Sequence, residues 1–275
     1  ATGYKRPTIV NMSWGYSSSI GGSYSNITSI DYRGTTYNSN NDARWNESNT
    51  YMSTTYGYYP YYASYAYRFP LRVSAVDIDI EELIAEGVHV CIAAGNNSFK
   101  ADVDGGTDYN NWVNSTSYSG NYHRGSSPYS DNAFMVGCTD SNTHSSGLEQ
   151  KANFSTSGPG ITIWSPGRNI MSSTSTTNDQ SFAGDYPADN NYKICNISGT
   201  SMASPQVCGL GATILELNPH LTPAQLQLKL TNLATIDPLR STGNGNDYHD
   251  NRSLLNAPNK LLYTPFNSSF VLSAS

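Results

Sequence analysis

Ser198-Gly199-Thr200-Ser201-Met202-Ala203-Ser204-Pro205 is the stretch whose reading decides the fold. It sets a serine among small residues at the mouth of a helix. That helix continues through Val207, Leu210, Ile214 and Leu217, an apolar stripe at helical spacing. At such an entrance the first backbone N–H groups have no intrahelical acceptor and the helix dipole is positive, which suits an oxyanion developing beside Ser201. Pro205 is read as tolerated because a first turn needs no intrahelical N–H. An ordinary capped helix would also use Ser and Thr, so neighbouring blocks must discriminate.

Two blocks do so. Val90-Cys91-Ile92-Ala93-Ala94-Gly95-Asn96 reads as a buried strand ending in asparagine, and Ile9-Val10-Asn11-Met12-Ser13-Trp14-Gly15 as a strand, buried on both faces, ending in Ser-Trp-Gly. With residues 198–205, and in this chain order, they resemble the subtilisin-like serine peptidases, the subtilases. The resemblance implies an α/β class. The expected architecture is a three-layer subtilisin-like fold with a mostly parallel sheet flanked by helices, its first strands missing from this chain. It implies Ser201 as the nucleophile and Asn96 as the oxyanion-hole asparagine, its amide acting with the Ser201 backbone N–H. It also implies that Ser13, Trp14 and Gly15 form one edge, and Ala93, Ala94 and Gly95 the other, between which a peptide or protein substrate lies as an added strand.

The resemblance stops at the other half of the triad. A reactive serine needs a base oriented by a carboxylate, and the family order Asp, His, Ser would put both before residue 9. Residues 1–8 hold neither, and His89, His123, His144, His220 and His249 all come later, none in a His-Gly-Thr setting. No catalytic His or Asp is assigned in this chain. The expectation is the C-terminal part of a processed subtilase, whose partner is an N-terminal fragment of the same protein that carries both residues and completes the sheet. A second class stays open: a catalytically inactive scaffold with a structural or adhesive role on a particle or cell surface. An α/β-hydrolase elbow fails because Ala203 stands where Gly-x-Ser-x-Gly needs its second glycine. A sedolisin would carry an acid where Asn96 stands.

Lys and Arg number 15 against 21 Asp and Glu, a net charge of −6, and no run of 18 apolar residues occurs. Neither nucleic acid nor a membrane is therefore expected as a partner. A composition rich in Tyr, Asn, Ser and Gly with few charges suits an extracellular or particle-associated (virion) setting. Cys91, Cys138, Cys195 and Cys208 show no metal-ligand spacing and read as buried free thiols, with a Cys195–Cys208 bridge left open.

Residues 1–265 are read as the catalytic portion and 266–275 as a short tail, with insertions at about 16–70 and 97–130. The first insertion has twelve of the chain's 21 tyrosines and no periodicity. It reads as a large ordered loop or as a contact surface. In the second, Asp102-Val103-Asp104-Gly105-Gly106-Thr107-Asp108 alternates carboxylates as a calcium loop does, but its glycine comes early and no acid closes it. No cofactor and no metal ligand set are expected, calcium at this loop being the one alternative. Asn-x-Ser/Thr sequons, including those at Asn11 and Asn196, read as composition bias, since a buried strand cannot be glycosylated.

Overall fold

Side chains alternate between the two faces of a strand, and the central strands of this chain are apolar on both. The computed structural model describes residues 6–19, 24–57, 68–143, 145–176, 183–240 and 252–264. His144, His249, residues 58–67 of the first insertion and the tail 266–275 lie outside the described residues.

A six-stranded sheet carries the fold, in the order β1 (Ile9–Met12), β6 (His89–Ala93), β9 (Phe134–Thr139), β10 (Ile163–Pro166), β15 (Lys260–Leu261) and β14 (Thr235–Ile236). Every neighbouring pair is parallel except β14 with β15. Cys91, Phe134, Val136 and Cys138 face α3 (Thr200–Leu217) and α4 (Pro223–Leu233), meeting Ala203, Val207 and Leu226 in one cluster. The alternate residues Val90, Ile92 and Met135 face α2 (Ser74–Ala85) and meet Ile80. Two apolar faces need two covering layers, so the three-layer α/β arrangement follows. Each fully buried aliphatic side chain contributes about 1.5–3 kcal/mol.

The helix signals read in the sequence place these layers. Gly87 takes the left-handed conformation, φ 85°, just past α2. Thr222 and Gln225 form a reciprocal capping box at the start of α4. Strand β9 is buried along its whole length, whereas β1 is only half-buried and forms one edge of the described sheet. The expectation that β1 is buried on both faces is thereby corrected. Asn11 is exposed, its Nδ2 donating to Ser13 Oγ at 2.9 Å. Asn196 is exposed on β13 (Asp189–Ile197), which pairs antiparallel with β11 (Ile170–Thr174) and β12 (Ala183–Tyr186) ahead of α3. Burial therefore gives no ground for dismissing either sequon.

The two insertions do not form separate loops. β3 (Ile27–Tyr32) and β4 (Thr35–Tyr37) from the first join β7 (Trp112–Ser115) and β8 (Ser119–Asn121) from the second in one antiparallel sheet, ordered β4-β3-β7-β8. With α1 (Asn49–Tyr56) they enclose a second core of Ile27, Ile30, Met52, Tyr56, Phe69, Val113 and Tyr122. Tyr56 is 1% exposed, and the rings of Tyr32, Tyr37, Trp45 and Tyr51 surround it at 5.1–6.4 Å. Most of the described tyrosines thus build an interior, where large rings bury much area at low entropy cost. The lobe is rooted by β2 (Ser17–Ser19) paired antiparallel with β5 (Arg68–Pro70), just beyond Trp14 and Gly15.

A polar network ties the two insertions together. Asp108, 0% exposed, accepts from Arg33 Nε at 2.7 Å, Lys100 Nζ at 2.6 Å and Asn111 Nδ2 at 3.0 Å. Asp102 accepts from the Asp108 backbone N–H at 2.9 Å, so both carboxylates face donors rather than each other. Among the described residues, no three His, Cys, Asp or Glu side chains converge as a metal site would need. Burial pushes the Asp108 pKa up, but the hydrogen bonds from Arg33 and Lys100 outweigh it and hold the carboxyl well below the usual range. The Arg33 backbone N–H donates to Asn111 Oδ1, which leaves Asn111 Nδ2 as the donor 3.0 Å from His123 Nδ1. The His123 proton must then sit on Nε2, which donates to the Gly57 carbonyl at 2.8 Å, just past α1. All four cysteines are free.

Burial holds His123 neutral, its pKa pushed down to about 4. An unfolded histidine takes its proton near pH 6.5. Below that pH the unfolded state binds the extra proton, so stability falls as pH drops toward about 4. Between pH 7 and pH 5 this costs about 2 kcal/mol. Burial also lowers the His89 pKa, which adds a smaller loss of the same sign. Urea denaturation at the two pH values should show a clearly smaller loss in His123→Gln than in the unsubstituted protein. Equal losses would contradict this protonation state.

Candidate active site

The entrance of α3 is built by side chains from elsewhere. Its N-cap, Gly199, has no side chain to satisfy the first N–H groups. Asn96, just past β6, substitutes: its Oδ1 accepts from both the Thr200 backbone N–H and Thr200 Oγ1, each at 2.9 Å. Thr200 Oγ1 in turn accepts from the Gly95 N–H at 3.1 Å. Because a backbone N–H can only donate, the Asn96 oxygen is identified by its partner, and Nδ2 is the end left for the cleft. A Cβ at Gly199 would come within 3.2 Å of that Nδ2, so glycine keeps the amide uncovered. Gly95 adopts φ 107°, the left-handed side of the map, to turn the chain out of β6 toward Asn96.

Pro205 lies in the second turn of α3, not the first. Its missing N–H would otherwise have bonded the Ser201 carbonyl four residues earlier. The sequence expectation for Pro205 is corrected accordingly. The freed carbonyl accepts from Ser13 Oγ at 3.0 Å, and Ser201 Oγ donates to the Ser13 carbonyl at 3.3 Å. A reciprocal clasp thus fixes the serine against the end of β1.

Ser201, Asn96, Thr200, both backbone edges (Ser13, Trp14 and Gly15; Ala93, Ala94 and Gly95) and Ser126 line one cleft of about 290 Å³. Every site residue read from the sequence is brought together there. Four further lining residues carried no linear signal: Tyr16, Ser17, Phe99 and Arg68. Trp14 is 49% exposed and stacks edge-on against Tyr16, with ring centroids 5.7 Å apart. Gly15 is a close-approach glycine, since a Cβ there would lie 3.4 Å from the Ser127 carbonyl.

The described histidines are elsewhere. His89 is buried in β6, bonded to the Leu221 backbone with its Nδ1 unpartnered, and His123 belongs to the lobe network. None of the described histidines or acids lines the cleft. Ser201 Oγ therefore meets a carbonyl and no base among the described residues.

A model of the Subtilase family matches residues 4–254. The chain belongs to the subtilase family. It is 28% identical over 173 residues to a Subtilisin-like protease 8 of Arthroderma otae, covering 60% of this subtilase and 27% of that protein. It is 33% identical over 134 residues to an Extracellular serine proteinase of Thermus sp., covering 49% and 25% of the two chains. The solved structure of a cold adapted subtilisin-like serine proteinase is 26% identical over 71% of this chain and 52% of that one, with a TM-score of 0.46. The matched part of this subtilase thus spans about a quarter to a half of these relatives. No helix among the described residues is long and apolar enough to cross a membrane.

The clasp predicts a measurable coupling in this subtilase. Ser13→Ala leaves the Ser201 carbonyl without its donor and should cost about 1 kcal/mol in denaturant unfolding. In that background Pro205→Ala supplies the missing backbone N–H. A double-mutant cycle should give roughly 0.5–1 kcal/mol of favourable coupling, and additive effects would exclude the exchange of donors.

Proposed function

We propose that this chain supplies the nucleophile and the oxyanion hole of a serine endopeptidase. The observation that carries the reading is the Asn96 carboxamide, whose oxygen is held by Thr200 so that Nδ2 serves the same cleft as Ser201 Oγ. Ser201 Oγ attacks a substrate carbonyl and forms a tetrahedral intermediate. The new oxyanion accepts from Asn96 Nδ2 and from the Ser201 N–H, which has no intrahelical acceptor at the second residue of α3. Collapse expels the amine and leaves an acyl-enzyme that water hydrolyses. A peptide or protein substrate lies between the Ser13–Gly15 and Ala93–Gly95 edges by main-chain hydrogen bonding.

The Ser201 proton must go to a base, and the Ser13 carbonyl that now accepts it is too weak for the task. In this reading His and Asp come from an N-terminal segment of the same protein outside these 275 residues. The outer edge of β1 is where added strands would extend the sheet, and an unpaired parallel edge favours such pairing. The protein acts outside the cell, as the name of its Thermus relative states for that protein. The other reading, an inactive scaffold in a structural or adhesive role on a particle such as a virion, gives no use to an amide aimed at a serine.

A fluorophosphonate applied to the native, unfractionated protein should label Ser201, and Ser201→Ala should abolish labelling. Asn96→Ala should slow it by about 10²–10³-fold, the loss measured when a comparable donor is removed from a subtilisin, a relative of this chain. Absence of labelling in material that also contains a segment with Asp-Ser/Thr-Gly and His-Gly-Thr would leave the scaffold reading.

A further inference from the structure

Apart from Arg68, every residue that lines the Ser201 cleft is uncharged. Arg68 comes from the insertion lobe, and the pairing of β2 with β5 decides where its side chain goes. Ser17, Ser18 and Ser19 stand opposite Pro70, Phe69 and Arg68 respectively. Residues directly opposite in an antiparallel pair share a face, and successive residues alternate. Phe69 is 1% exposed in the lobe's aromatic core, so Arg68 is driven to the other face. Ser17 shares that face and lines the same cleft. A one-residue slip would bury the guanidinium in the lobe and expose the ring, so burial of Phe69 holds the register.

The cleft opens between the two backbone edges and is bounded by Ser201 and Asn96. The side chain of a residue whose carbonyl rests on Asn96 and Ser201 would hang into it. Apart from Arg68 the wall offers small hydroxyls and aromatic rings, and the protein as a whole is acidic, net −6. Arg68 is thus a local positive point where a negative side chain gains most. A guanidinium binds a carboxylate with paired N–H donors, a geometry that an amide of the same shape cannot match in charge.

We propose that Arg68 is a specificity-determining residue that selects substrates with Asp or Glu at the residue whose carbonyl is attacked. This rests on the peptidase reading above, so its test must separate the two. The complete native protein is assayed against tetrapeptide p-nitroanilides that differ only in the last residue, Glu, Gln or Lys. Equilibrium binding of the same peptides is measured with Ser201→Ala. The Glu peptide should exceed its Gln counterpart about tenfold or more in kcat/KM and in affinity, as a charge-assisted pair allows, and the margin should shrink as salt rises. Arg68→Gln should erase the preference. Arg68→Glu should turn it toward Lys, a gain that misfolding cannot produce. Hydrolysis without a Glu preference, or a preference unchanged in Arg68→Gln, overturns the assignment and leaves the peptidase reading intact. If no peptide is cleaved and Ser201 is not labelled, the peptidase reading falls. The binding arm then decides: a Glu preference lost in Arg68→Gln upholds the assignment, and equal binding rejects it.

Discussion

A helix that begins on glycine and carries proline in its second turn cannot satisfy its own entrance, and the active face of this subtilase is organised around that deficit. Gly199 provides no cap, and Pro205 frees the Ser201 carbonyl. Two strands, neighbours in the sheet, supply what is missing. The chain after β6 brings Asn96 Oδ1 to Thr200, and the chain after β1 brings Ser13 Oγ to the Ser201 carbonyl. Each repair leaves a useful group behind: an amide N–H₂ directed at the cleft, and a serine whose hydroxyl has one defined partner. The same bonds set the spacing of the two substrate-facing edges, because β1 and β6 pair in parallel from Ile9 with His89 to Met12 with Ile92.

The lobe shows how a segment with little aliphatic content can still fold. Its core is largely aromatic, with Tyr56 at the centre of four rings. The polar ends of those rings need partners, and Asp42 accepts from both Tyr51 and Tyr56. Asp108 does the equivalent for cations, joining Arg33 of one insertion to Lys100 near the other. A buried carboxylate flanked by two cations is costly to break, since removing one partner strands the others. The lobe's position matters as much as its core. Its root strands leave the sheet directly after Gly15, so anything they present lies beside the cleft.

Linear reading succeeded where the physics is local. The α2 stop at Gly87 and the capping box of Thr222 with Gln225 involve residues within one or two turns, so their chemistry is visible in the string. The three blocks ending in Gly15, Asn96 and Pro205 were also legible, because each is a continuous strand or helix start. Reading failed where a neighbour distant in sequence sets the environment. β1 lost one buried face by being an edge strand, and Pro205 was placed a turn too early because its compensating donor, Ser13, is 188 residues from Ser201. Helix α1 had a Ser48 cap and a Gly57 stop, φ 71°, but no aliphatic stripe, since its buried face is Met52, Ser53 and Tyr56.

By itself, then, the sequence determined the family, the order of the core elements and the identity of Ser201 and Asn96 as candidates, since side-chain type and local spacing suffice for these. Tertiary structure alone decided that the two polar insertions share one sheet, that Asn96 turns its amide rather than its oxygen to the cleft, and that Arg68 enters it. Each of those outcomes depends on pairing across the chain, where a backbone N–H, a buried ring or a strand register chooses between orientations that the sequence leaves equal.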